Sequence, residues 1–346
     1  MRGSFIILVL ALCVSSSYTA PASAIEFDPQ NYRSADGALL LQIHGDYVEP
    51  YFAAKALITA QDAGLDIHAA GLSWIRWALQ RQRNDGRFDR YRQKNGEWKV
   101  SGPADADDSM LALWLQLLYR LSPDGGIPSE WQESIRKAQA QLEKLRNGRL
   151  GIYHVSSKNH VALFMDNMEV YAALKDIAQA QARFGDQKSS QSTDKKAKDL
   201  AGAIDHVFWD KNHKWFRSSI QKVQPAFYPD VVAQVYPLLA DFPLKDGNAR
   251  SAWSKWRAKF ASAWLKDLYD PHPWGLVALA AVKTGDKNSA LCWLALSESL
   301  RYSSHWNILE EAVFQGLEAQ LHADRRANGV ACSKSLNQEP AAPGTP

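Results

Sequence analysis

Apolar residues recur at helical spacing along almost the whole chain, and the helices they define come in two alternating textures. Six segments pass from a polar or aromatic loop into a helix rich in Ala and Leu with few charges. They begin at 46–52 (into AAKALITA), 105–109 (into MLALWLQLL), 166–171 (into AALKDIA), 228–230 (into VVAQVYPLLA), 272–275 (into LVALAAV) and 307–311 (into AVFQGLEA). Between them lie more charged, amphipathic helices at about 66–83, 129–147, 193–208, 248–266 and 286–301. A helix apolar on most of its surface belongs inside, and one with a single apolar stripe belongs on an outer layer. The alternation predicts an all-α ring with six inner and five outer helices, one outer helix short. Links from inner to outer helices are mostly short, while those from outer to inner are long and aromatic. Every long loop and every inner-helix N-terminus therefore falls at one end of the ring. The polar stretch 185–191 reads as a mobile insertion.

The ends of the chain read differently. Arg2, an apolar run from Phe5 to Val14 and the triplet Ala22-Ser23-Ala24 predict a secretory signal peptide over 1–24. That run is too short to span a bilayer, which takes about 20 residues, and no later stretch reaches that length. A lipoprotein reading through Cys13 meets the bulky Leu12 before it. One domain is expected over 25–325, followed by a disordered tail at 326–346. The expected location is periplasmic or secreted. A net charge of +3 argues against a nucleic-acid partner. Cys292 and Cys332 remain after signal removal, free or joined by one bridge.

The layout resembles the six-hairpin, (α/α)6-toroid glycosidase superfamily over nearly the whole mature chain. The resemblance rests on the architecture and on DGRFDRY (85–91), DADDSMLALW (105–114), DNMEVYAAL (166–174) and PWGLVALAA (273–281). It implies a poly- or oligosaccharide substrate and a cleft at the loop end. In inverting, bacterial endoglucanase-like members, a Glu at the start of the first inner helix is the general acid, and Glu49 is similarly placed. An Asp ahead of an apolar inner helix binds the distorted sugar there, and Asp107 is similarly placed. The Ser-Glu-Gly signature of those members is absent from this sequence.

Glycoside hydrolysis needs one carboxylic acid for the leaving oxygen and a second carboxylate for water or the anomeric carbon. Inner-helix starts offer Asp46, Glu49, Asp105, Asp107, Asp108, Asp166, Glu169, Asp230, Glu310 and Glu311. Helix capping accounts for many of them, because a carboxylate there meets free N–H groups and the positive end of the dipole. Three like charges at Asp105, Asp107 and Asp108 exceed what a cap needs, and repulsion would raise a pKa among them. With the roles that the resemblance implies, Glu49 as acid and Asp107 as its partner are the expected catalytic pair. Arg87 and Arg90 could hold an anionic group of an acidic polysaccharide. Tyr51, Tyr91, Trp215, Tyr228, His272, Trp274 and Trp306 complete the expected binding set. Trp74, Trp77, Trp114, Trp253, Trp256 and Trp264 fall within helices and read as core. No His pair at helical metal spacing occurs, so neither a metal nor a cofactor is expected.

Three functions stay open. A hydrolase requires Glu49 and one of Asp105–Asp108 roughly 5 to 10 Å apart across an open cleft; capped, buried or separated carboxylates favour a non-catalytic periplasmic sugar-binding protein of a polysaccharide system. A lyase, the variant of the enzyme reading, would use Tyr91 or His154 beside Arg87. Asp105-Ala106-Asp107-Asp108 also matches the D-x-D-D acid of terpene cyclases, which would need an apolar closed cavity beneath Asp107.

Overall fold

The structure is a computed structural model that describes residues 25–222, 224–245, 247–266, 272–328 and 332. The signal peptide at 1–24 lies outside the described residues, as does most of the 326–346 tail. Of that tail, residues 326–328 continue the last helix.

The two textures sort into two layers. Five helices carry the apolar inner texture: α1 (Pro50–Asp62), α3 (Asp107–Leu121), α5 (Phe164–Arg183), α9 (Gly275–Lys283) and α11 (Ile308–Asn328). The outer layer is α2 (His68–Leu79), α4 (Ser129–Leu145), α6 (Gln187–Phe208), α8 (Ala249–Leu265) and α10 (Lys287–Ser297). In α3 nearly every residue is buried, whereas α4 buries one stripe. The sixth inner position is filled by a wide turn at Phe227–Val231 and the four-residue α7 (Tyr236–Leu239). Pro237 breaks the continuous helix that the sequence predicts there, since proline has no N–H to give an α-helix interior.

Each inner element packs on the next, and α11 returns to α1, so the ring closes. Among the described residues no helix follows α11. The segment 25–46 instead lies against α11 and the loop before α2. Phe27 N–H donates to the Asp66 carbonyl and Asp66 N–H to that of Ile25, Asp28 pairs with Gln315, and Ile308 N–H donates to Leu41. Phe27, Tyr32 and Leu39 are buried beneath it.

One expectation is corrected. Residues 187–191 are not a mobile insertion but the first turn of α6, where Asp186 accepts from Ser189 N–H as the N-cap. The start of DGRFDRY is a turn, with Gly86 N–H donating to the Arg83 carbonyl. It leads into β2 (Asp89–Lys94), which pairs antiparallel with β3 (Glu97–Pro103) and with β1 (Tyr47–Val48). A second small ribbon joins β4 (Trp209–Asp210) and β5 (Trp215–Phe216). The bridge between Cys292 and Cys332 ties α10 to the segment beyond α11. The six helical tryptophans are all buried, with Trp74 stacked on Trp77 and Trp253 on Trp256.

Candidate active site

The polar side chains of greatest chemical interest enter from the N-termini of α1, α3 and α5, at the end of the ring that carries the long links. The links into α3 and α5 come from the outer helices α2 and α4, and the segment 25–46 leads through β1 into α1. Three subclusters result.

The deepest one lies between α3 and α5. Asp108, Asp166 and Glu169 are all buried. Glu169 accepts from Tyr51 (2.8 Å) and Ser109 (2.5 Å) and pairs with Lys55 at 2.8 Å. Lys55 also lies over the Tyr236 ring. Asp108 takes the Ser109 N–H on one oxygen, and its other oxygen is unpartnered. Asp166 likewise has one buried oxygen without a donor. Burial, with Glu169 close by, pushes the Asp108 carboxyl up to about 7. Burial and the neighbouring Asp108 and Glu169 hold Asp166 well above the usual carboxylate range.

The second subcluster is Glu49, Arg90 and Asp105. Arg90 pairs with Glu49 through Nε and with Asp105 at 2.9 Å. Burial outweighs the arginine and pushes Glu49 up to about 7. In the third, Arg87 bridges Asp85 at 2.8 Å and Asp107 at 3.5 Å. Burial raises Asp107 in spite of that arginine. Glu49 and Asp107 are thus both buried and held by different arginines.

The remaining expected residues scatter. Asp46 is exposed and pairs with Arg92 at 2.6 Å. Tyr91 turns its ring edge to Trp77. Trp215 packs on Phe260. Asp230 organises its own loop, accepting from the Ser218 hydroxyl and Ala226 N–H. Trp306 is fully buried against Trp293 and Phe314, with its N–H on Glu311, so it is packing and not a platform. Tyr228 and Trp274 do form an aromatic surface: their rings stack at 4.6 Å, with Tyr228 exposed and His272 edge-on to Trp274.

Arg87 and Arg90 do not stand ready for a substrate anion, because protein carboxylates already occupy both. Of the two bases named for a lyase, Tyr91 packs on Trp77 with its hydroxyl at the Arg81 carbonyl, and His154 stacks on His160. The surroundings of Asp107 are charged, not the apolar cavity of a cyclase. Among the described residues no group of three His, Cys, Asp or Glu is arranged to hold a metal ion. A recess of about 660 Å3 opens at the opposite end, where Arg120 is committed to Asp62 and Asp176.

Ser109, Lys55 and Tyr236 escaped the sequence reading. A signal for Lys55 existed, since it is the lone charge in the apolar run AAKALITA.

No protein-family model matches this chain, and no curated protein matches it by sequence. Solved structures do share the fold. A rhamnosidase from Klebsiella oxytoca superposes with a TM-score of 0.52 at 11% identity, over 79% of this chain and 58% of its own. A novel alpha-amylase from Clostridium perfringens gives 0.54 at 12% identity, over 83% and 94%. A reducing end xylose-releasing exo-oligoxylanase gives 0.53 at 14% identity, over 83% and 84%. The chain spans little more than half the length of the rhamnosidase. What it has in common with these proteins is a glycosidase-like, all-α toroid of helical hairpins.

Proposed function

We propose that this chain is an exported glycoside hydrolase of the six-hairpin kind, cleaving a polysaccharide with the carboxyl groups gathered between α3 and α5. One observation carries the reading: Asp108 and Asp166 are buried side by side, each with an unpartnered oxygen, and both hold protons more firmly than an ordinary carboxyl. Of two neighbouring carboxyls, ionisation of one holds the proton on the other, which divides them into acid and base. Asp166, raised by burial and by the neighbouring Asp108 and Glu169, keeps its proton and delivers it to the leaving glycosidic oxygen. Asp108, at about 7, ionises first and takes a proton from the water that attacks the anomeric carbon. Glu169, held by Tyr51, Ser109 and Lys55, lies close to both and helps to keep them protonated. Tyr228 and Trp274 offer a stacking face for a sugar ring. Export is supported by the apolar run with its A-x-A triplet, and by a disulfide that fits an oxidising compartment.

The test is reducing-end release from a panel of polysaccharides by the purified protein. Asp108→Asn and Asp166→Asn should each lower the rate by about 10²–10⁴, the range of a general acid or base, with circular dichroism unchanged. Loss confined to Glu49→Gln and Asp107→Asn would instead return the chemistry to that pair. The pairing of those two with arginines favours a second reading, a non-catalytic sugar-binding protein. Retained affinity for a polysaccharide without release of any would establish it.

A further inference from the structure

Charge is spread unevenly along this chain. Residues 211–271 hold ten Lys and Arg against five Asp, a net +5, while all 346 residues together carry +3. The excess lies on α8 and on the link before it. Helix α8 carries Arg250, Lys255, Arg257 and Lys259 and no acid at all. Arg257 is taken up by Asp286 on the neighbouring helix cap. Lys255 and Lys259 are exposed one turn apart, about 5–6 Å between Cβ atoms, a like-charge pair that works against the helix. Lys266, the C-cap, continues the same stripe seven residues on. The β4–β5 ribbon stands beside α8, with Trp215 on Phe260 at 5.6 Å, and brings the exposed Lys211. Lys222 is exposed farther along the same link. Among the described residues none of these five lysines has an acid partner. The cations of the deep subclusters, by contrast, are all held by protein carboxylates. The link 209–226 runs from α6 to the sixth inner position, and Lys266 stands where α8 gives way to the link toward Trp274. This cationic face therefore borders the loop end of the ring, where Tyr228 and Trp274 stack.

We propose that this face, α8 with the β4–β5 ribbon, binds an acidic polysaccharide and lays it along the loop end of the ring. The kind of polymer rests on the glycan reading above; the surface itself uses none of the buried carboxyls. Each ammonium offers three donors and no acceptor to a carboxylate or sulfate. A row of such groups one turn apart suits a polymer that carries charge on successive sugars, and its field draws that polymer toward the loop end. Trp215 and Phe260, both half-buried, set ring surface among the cations, with Lys259 over the Phe260 ring. A lipid surface fits less well. Anchoring in a bilayer scales with the apolar area buried, and the exposed large apolar side chains, Ile25, Val100, Tyr228, Leu296 and Tyr302, all lie off α8 and the ribbon.

The experiment is calorimetric titration of the purified protein with polygalacturonate and dextran sulfate, each beside its uncharged counterpart, methyl-esterified polygalacturonate and dextran. At least one acidic polymer is expected to bind at least about tenfold tighter than its counterpart, roughly 1.4 kcal/mol. That advantage should shrink as salt rises, because exposed charges are screened. Lys255→Gln with Lys259→Gln keeps good helix formers on an exposed face and should remove most of it. Lys188→Gln with Lys195→Gln, the same loss of charge on α6, should leave it intact. Equal affinity for charged and uncharged polymers, an advantage that survives the α8 pair, or one that both pairs reduce alike overturns the proposal. Binding of phosphatidylglycerol vesicles in place of either acidic polymer does so too. Reducing-end release is followed throughout. Binding on this face without release leaves the proposal standing and removes the hydrolase. Release from the uncharged polymers with no preference for charge does the reverse.

Discussion

Glu310 shows what a buried carboxyl does to this protein when it lies outside the three acidic subclusters. It sits in the first turn of α11 and accepts one bond, from Gly275 N–H at 2.8 Å, where α9 begins. Burial pushes it from the ordinary 4.5 up to about 7. The folded protein therefore keeps a proton that the unfolded chain releases. The stability this gives is present in full below 4.5 and is lost as pH rises through about 7. Glu49 and Asp108 act in the same direction. Glu310→Gln keeps an acceptor for Gly275 and removes the titration. Its melting temperature should fall less steeply than the parent's across the weakly acidic range, a difference on the order of a few kcal/mol. Parallel curves would show that Glu310 titrates as an ordinary carboxyl. Gly275 itself is needed here, since a Cβ would stand 2.5 Å from a Glu310 oxygen and 2.9 Å from Trp293.

At the scale of elements, helices were far more legible than strands. An inner helix such as α3 announces itself by being apolar all round, and an outer one such as α4 by its stripe. The sheet gave no such signal. Strand β2 is DRYRQK and β3 is EWKVSGP, mostly exposed, so neither shows the apolar alternation of a half-buried strand. What holds this hairpin to the ring is a side-chain device that pattern cannot reveal. Asp36 accepts the indole N–H of Trp98 on β3 at 2.9 Å and that of Trp77 on α2 at 3.0 Å. Asp36→Ala would leave the Trp77 N–H buried without a partner, a cost of about 1–3 kcal/mol. Amide exchange over 89–103 should quicken and the melting temperature should drop; unchanged exchange there would mean that ring packing alone docks the hairpin. The site was legible by the same measure, in part. Acids at helix starts stand out, so Asp105, Asp107, Asp108 and Asp166 were among the candidates. Which of Asp107 and Asp108 turns inward depends on the angle at which α3 enters the ring, and no spacing encodes that. Trp306 was misread for a related reason: a loop position does not tell whether a ring faces solvent or Phe314.

For the molecule as a whole, the decisive contact is the one that makes a row of hairpins into a ring. Helices α1 and α11 are the first and last of the inner layer, and they meet where Gly316 faces Ala63. A Cβ at Gly316 would lie 2.3 Å from the Ala63 Cβ, closer than two carbons can stand. The ring thus closes on the absence of a methyl group. Gly316→Ala forces α1 and α11 apart, with an expected loss of about 1–3 kcal/mol, as for other overpacked cores. The shift should also reach the other end of the ring, because α1 carries Tyr51 and Lys55, and those two hold Glu169 on α5. Ala63→Gly in the same chain removes the opposing methyl, so the double variant should regain most of the lost stability. It should regain any lost sugar binding or cleavage in step with it. Additive losses from the two substitutions would mean that the ring closes through its other contacts, and that α1 is positioned by α3 alone.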